Sequence, residues 1–196
     1  MDLLGQNRRM SERGVQNRKR KEGGSAIMLI YLLRHGPAGD RDPARYPNDD
    51  SRPLTDDGRR RTESVARGIA ALGLKIDHIL SSPLVRARQT ADEAARSLKF
   101  AVRQIVETPS LAPEIPPADV LGELATLDID ASVLLVGHEP HLSQLLSLLV
   151  AGSADVVQTD FKKAGLAGVE CDDAVAAGCG VLQFLLKPGQ LVQLAD

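Results

Sequence analysis

No apolar run in the 196-residue chain reaches the length needed to cross a bilayer. No segment repeats. Cysteine is scarce: Cys171 and Cys179 make neither a CxxC pair nor a disulfide framework, and they read as reduced, buried thiols of a cytoplasmic protein. An excess of positive charge is missing from most of the chain. The formal net charge is only −2, yet residues 1–27 hold seven Arg or Lys against three acids, so residues 28–196 carry 17 bases against 23 acids. A domain with that balance is a poor general nucleic-acid binder. Metal-ligand spacing is missing as well. Asp40, Asp42, Asp49 and Asp50 share a loop but match no metal-binding spacing, so solvation is the expected role.

What remains is ordinary for a soluble globular protein: 43% hydrophobic and 26% charged residues, in a length that supports one domain with a sizeable core. Residues 1–27 read as a disordered basic tail. Arg18-Lys19-Arg20-Lys21 precedes Gly23-Gly24-Ser25, without apolar periodicity and without the apolar middle of a signal peptide. Met28, where the patterned sequence begins, is a second candidate start.

From residue 28 onward, strands alternate with helices. Residues 28–33 form an apolar run that ends in Arg34-His35-Gly36, a buried strand followed by a loop. Residues 37–53 read as surface loop. Thr55 caps a helix with Asp56 and Asp57 in its first turn and Val65, Ile69 and Leu72 on one face. Residues 76–80 read as the next strand. Ser82-Pro83 then has the form of a cap and first-turn proline. Residues 101–106 read as a weaker strand, residues 108–117 as irregular and residues 120–127 as a short helix. Residues 132–136 are the most apolar strand, followed at once by Gly137-His138. Pro140 opens a helix with Leu142, Leu145, Leu146 and Leu149 at i, i+3, i+4 and i+7. Residues 166–170 and 180–186 read as late strands. The alternation predicts a three-layer α/β/α sandwich around a mostly parallel sheet.

In such sheets, ligands bind beyond the carboxyl ends of the strands. Three of those ends deliver distinctive chemistry: Arg34 and His35, then Arg86 just inside the helix beyond Ser82, then His138. If those strands are neighbours, two Arg and two His converge. Two guanidiniums can each hold two oxygens of a tetrahedral dianion through charge-assisted bonds. An imidazole offers a free lone pair at neutral pH and is a competent nucleophile toward phosphorus. Phosphoryl transfer leans mainly on positioning and charge stabilisation, so such a site needs few further parts.

These residues also resemble a family. Arg34-His35-Gly36 after an N-terminal strand is similar to the signature of the histidine phosphatase superfamily. Ser82-Pro83-Leu84-Val85-Arg86-Ala87-Arg88-Gln89-Thr90 resembles its S-x-L-x-R-A-x-x-T motif, and Gly137-His138 resembles its third. The resemblance spans residues 28–196 and implies a phosphoglycerate mutase-like fold. Shortness, no cap insertion, and Arg52-Pro53-Leu54-Thr55 followed by Gly58 bring the chain closest to the SixA-type phosphohistidine phosphatases. The resemblance implies that His35 is the phosphorylated residue, that Arg34 and Arg86 bind phosphate, and that His138 donates to a phosphate oxygen. It implies no cofactor and no metal. The implied partner is a phosphorylated histidine-containing phosphotransfer protein or a small phosphate ester, with no role for nucleic acid or membrane.

One departure bears on substrate. Many relatives carry a general-acid Glu in the loop after the third strand. Here that loop reads Leu111-Ala112-Pro113-Glu114, with Pro113 in the acid's place and Glu114 beside it as a candidate substitute. A missing acid hampers expulsion of an alkoxide more than of a protonated imidazole. The expected activity is therefore removal of phosphate from protein phosphohistidine through a phosphohistidine enzyme. A small-ester phosphatase or cofactor-independent mutase is the alternative, and a binding module without turnover is a second. Among other residues, His141 reads as a surface or cap histidine, and His78 as packed or partly exposed. Arg88 reads as solvated. Arg59-Arg60-Arg61 reads as a charged face that could meet an acidic protein.

Overall fold

The computed structural model describes residues 26–172 and 174–195. All but the last two residues of the basic tail lie outside the described residues; Ile27 already belongs to the first strand. In chain order the main elements are β1 (Ile27–Arg34), α1 (Asp56–Ala71), β2 (His78–Ser81), α2 (Val85–Ser97), β3 (Val106–Glu107), α3 (Ala118–Leu124), β4 (Ser132–Gly137), α4 (His141–Ala151), β5 (Leu166–Asp172), β6 (Gly180–Leu186) and α5 (Pro188–Leu194). Among the described residues, no helix is long and apolar enough to cross a membrane.

The six strands form one mixed sheet in the order β3-β2-β4-β1-β5-β6. β1, β4, β2 and β3 run parallel; β5 is antiparallel to both β1 and β6. Helices cover both faces, which is why β4 is buried along its whole length and why its sequence reads as an unbroken apolar run. Side chains alternate across the sheet. Met28, Ile30, Leu32, Val133 and Leu135 pack with Leu124, Leu142, Leu145 and Leu149 of α3 and α4. Tyr31, Leu33, Leu134 and Val136 pack on the other side with Val65, Ile69, Ala91 and Leu191 of α1, α2 and α5. The three-layer sandwich follows from this period-two division of apolar residues.

Two segments differ from the sequence reading. Residues 101–106 are mostly a 3-10 turn (Val102–Gln104), and only Val106 and Glu107 pair with β2 at the sheet edge. The buried residue there is Ile105, three positions after Val102, which is the spacing of a turn and not of a strand. Second, Ser82 does not cap α2. The helix starts at Val85 with Leu84 as its cap residue, which forms no side-chain cap bond. Thr55 does cap α1, accepting from Gly58 N at 2.9 Å.

Candidate active site

The site is fixed by strand register. Arg34 of β1 lies opposite Gly137 of β4, and Ser81 of β2 lies opposite Val136. β4 is the middle strand, so the residues just past each end, His35, His138 and Ser82, emerge side by side. The ladder continues one step beyond the strands: His35 N donates to Gly137 O at 3.0 Å, and Ser82 N donates to Val136 O at 2.9 Å. Gly36 is required at this crowded corner. Its N–H donates to Thr90 Oγ1 at 3.0 Å, and a Cβ there would overlap the Thr62 hydroxyl.

The His35 and His138 rings lie 5.0 Å apart, tilted at 51°. Both are buried, His35 at 6% exposure and His138 at 2%. The His35 Nδ1–H donates to Gly36 O at 2.7 Å. A carbonyl can only accept, so the proton belongs on Nδ1 and the lone pair on Nε2. Burial lowers the His35 pKa to about 3. Arg86, Arg34 and Lys163 act in the same direction and the Gly36 carbonyl against it. Burial, together with His35, Arg86, His141 and Arg34, lowers His138 to about 2. Both imidazoles are therefore neutral at neutral pH. His138 Nε2 lies 2.8 Å from Ser82 Oγ, which explains the serine better than a helix cap does.

Arg34 and Arg86 both act on the two imidazoles, so all four side chains share one site. Arg34 donates through NH1 to Phe161 O at 2.7 Å. Arg86, at 5% exposure, donates through NH1 to Asp49 O at 2.9 Å, and its NH2 lies 3.2 Å from Asp49 Oδ2. The buried Nε of each arginine and Nδ1 of His138 have no hydrogen-bond partner among the described residues. Such unpaired polar atoms are expensive inside a protein unless a ligand takes them.

Several sequence readings require correction. Asp49 is not simply solvated: besides Arg86 it holds Arg52 through Nε at 2.8 Å, and this neighbourhood of arginines lowers its carboxyl to about 2, the Arg52 hydrogen bond first. His141 is not a surface residue; it is 1% exposed in the first turn of α4, and burial lowers its pKa. Its position four and eight residues before Leu145 and Leu149 was the available signal. Arg88 is paired, with Asp92 at 3.0 Å and Glu107 at 2.7 Å. Cys171 is buried and Cys179 half-buried; both are free, with their sulfurs 2.9 Å apart across the β5–β6 hairpin. Glu114 is exposed in a turn, with no bond to the four site residues. A carboxyl that does act on a site residue, Arg34, is that of Glu139, half-buried and bonded to Ser143 Oγ at 2.6 Å, with its pKa raised by burial. It was missed because nothing in the sequence separates it from a helix-capping acid.

Comparisons with known proteins agree with this geometry. The signature of the histidine phosphatase superfamily (branch 1) matches residues 30–112. An uncharacterized protein of Picosynechococcus sp. is 38% identical over 72% of this chain and 84% of its own length. The phosphohistidine phosphatase SixA of Escherichia coli (strain K12) is 27% identical over 84% of this chain and 96% of its own. The structure of the protein histidine phosphatase SixA complexed with tungstate superposes with a TM-score of 0.71 at 27% identity, covering 84% of this chain and 99% of that one. With matching fold, motifs and relatives, the chain belongs to the histidine phosphatase superfamily and is SixA-like.

Proposed function

We propose that this protein is a phosphohistidine phosphatase with His35 as its nucleophile. The observation that carries the reading is the His35 Nδ1–H bond to Gly36 O, which leaves Nε2 free in a pocket flanked by two guanidiniums. Arg34 and Arg86 bind the phosphoryl oxygens, and His138 donates to one of them. His35 Nε2 attacks phosphorus as the bond to the substrate imidazole breaks. A substrate phosphohistidine protonated on its other ring nitrogen leaves as neutral imidazole, so no enzyme acid is required. His35 becomes a phosphoimidazolium whose Nδ1–H still points to the Gly36 carbonyl, a favourable partner for that charge. Water then attacks phosphorus, the bond to Nε2 breaks, and dihydrogen phosphate departs from a neutral His35.

The exposed position of Glu114 supports phosphohistidine over an alkyl ester, whose alkoxide needs a proton on leaving. The test is incubation with a histidine phosphotransfer protein phosphorylated on histidine. The wild-type protein should remove the phosphate and His35→Ala should not; equal rates reject the assignment. One observation favours the rival reading, a small-molecule phosphomonoesterase or mutase: burial raises the carboxyl of Glu139, the residue after His138 and one that acts on Arg34, which suits an acid. In that case Glu139→Gln should abolish turnover of an alkyl phosphate.

A further inference from the structure

A cavity of about 730 Å³ opens directly beside Arg34. Five of its lining residues are cations: Arg34 itself, Arg61 of α1, Lys162 and Lys163 ahead of β5, and Lys187 at the start of α5. Among the described residues, no carboxylate lines it. The acids that act on Arg34 are Glu139 and Asp160, and Asp160 is exposed and paired with Lys162 Nζ at 2.8 Å. Arg61 and Lys163 have no ion pair among the described residues. Residues 28–196 carry 17 bases against 23 acids, so gathering five cations around one cavity runs against the composition of the domain.

The phosphoryl site already has Arg34, Arg86 and His138, and the groove is far larger than another phosphoryl group requires. Pockets for small molecules are mostly apolar and aromatic with a few polar groups. This one is edged by Pro37, Pro188 and glutamines, has no aromatic side chain among the described residues that line it, and draws its charges from four chain segments. That spacing suits several carboxylates on a folded surface. Complementary charge of this kind steers encounter and fixes register.

We propose that the groove docks an acidic surface patch next to the phosphohistidine on the protein substrate, presenting the phosphoryl group to Arg34 at its inner end. The proposal rests on the phosphohistidine reading. It makes the groove a selector for protein substrates, with the chemistry left to the four residues described above. Lys163 belongs to both, since it lines the groove and also lowers the His35 pKa.

The test is the double variant Arg61→Glu/Lys187→Glu, at two exposed positions outside the phosphoryl site. The substrates are an acidic-faced phosphotransfer protein phosphorylated on histidine, the free amino acid phosphohistidine, and a sugar bisphosphate. The variant should lose on the order of tenfold or more in kcat/KM on the protein at low salt, and the gap should close as salt screens the charges. Free phosphohistidine should be hydrolysed within about twofold of wild type, which also shows that the variant is folded. Arg61→Lys/Lys187→Arg should restore the protein activity. Wild-type rates for the variant on both the protein and the free amino acid would overturn the groove alone. A loss confined to the sugar bisphosphate would overturn it in favour of a small-anion subsite. A wild-type enzyme inactive on both phosphohistidine substrates would overturn the functional reading, and the docking proposal with it.

Discussion

Burying two neutral imidazoles gives the folded protein a specific sensitivity to mild acid. Burial is the main cause that lowers the pKa to about 3 for His35 and about 2 for His138, against an ordinary value of 6.5. Because the folded values are depressed, the unfolded chain takes up protons that the folded one refuses. The stability contribution is intact above the unfolded pKa and is lost as pH falls toward the folded one. Between about pH 7.5 and about pH 5.5 the folded groups stay neutral, so the loss depends only on the unfolded value: roughly 1.4 kcal/mol per histidine. The assay is urea unfolding at both pH values for wild type, His35→Asn and His35→Asn/His138→Asn. Wild type should lose about 1.4 kcal/mol more than the single variant and about 2.7 kcal/mol more than the double. The variants cancel contributions from other groups, including the raised Glu139 carboxyl. Equal pH dependence in all three proteins would refute the inference that these histidines are folded in the neutral state.

Four further outcomes follow from named contacts. Asp49→Ala should destabilise the protein by about 1–2 kcal/mol, since the buried Arg86 loses its carboxylate, and inorganic phosphate should raise the Tm of this variant more than that of wild type. Gly36→Ala should cost at least about 2 kcal/mol through overlap with the Thr62 hydroxyl; adding Thr62→Ala should recover part of it in a double-mutant cycle. Glu114→Gln should leave phosphohistidine turnover within about twofold of wild type, because the side chain is exposed; a loss of tenfold or more in steady-state kcat would contradict that. Leu135→Ala, which removes a fully buried side chain from the middle of the sheet, should cost about 2–5 kcal/mol by urea unfolding.

The parts of the fold that announce themselves in sequence are those whose environment is uniform. β4 is covered on both faces, so Ser132–Gly137 reads as an unbroken apolar run, and the Arg34-His35 and Gly137-His138 ends stand out against it. The residues that meet at the candidate site were legible for the same reason. Strand order was not. That β4 lies between β1 and β2, the condition for all four residues to meet, is set by pairing of β4 with segments 103 and 55 positions earlier in the chain. The antiparallel sense of β5 and the helix α5 were equally hidden; α5 is seven residues long and fully buries only Leu191 among its large apolar side chains. Asp49 shows the limit most clearly. A loop aspartate looks the same in sequence whether it faces water or holds Arg86, which lies 37 residues further on. Ser82 is similar, because a hydroxyl before a helix serves a cap or a distant histidine with the same atoms.

The central claim, that His35 Nε2 takes the phosphoryl group, is tested most directly by trapping. A phosphohistidine protein substrate is mixed with the enzyme, quenched in alkali within the first turnover, and the enzyme mapped by mass spectrometry. The account predicts an acid-labile, alkali-stable phosphoryl group on His35 of the wild-type protein and none in His35→Ala. Turnover with the phosphoryl group on a different residue, or undiminished in His35→Ala, would contradict it.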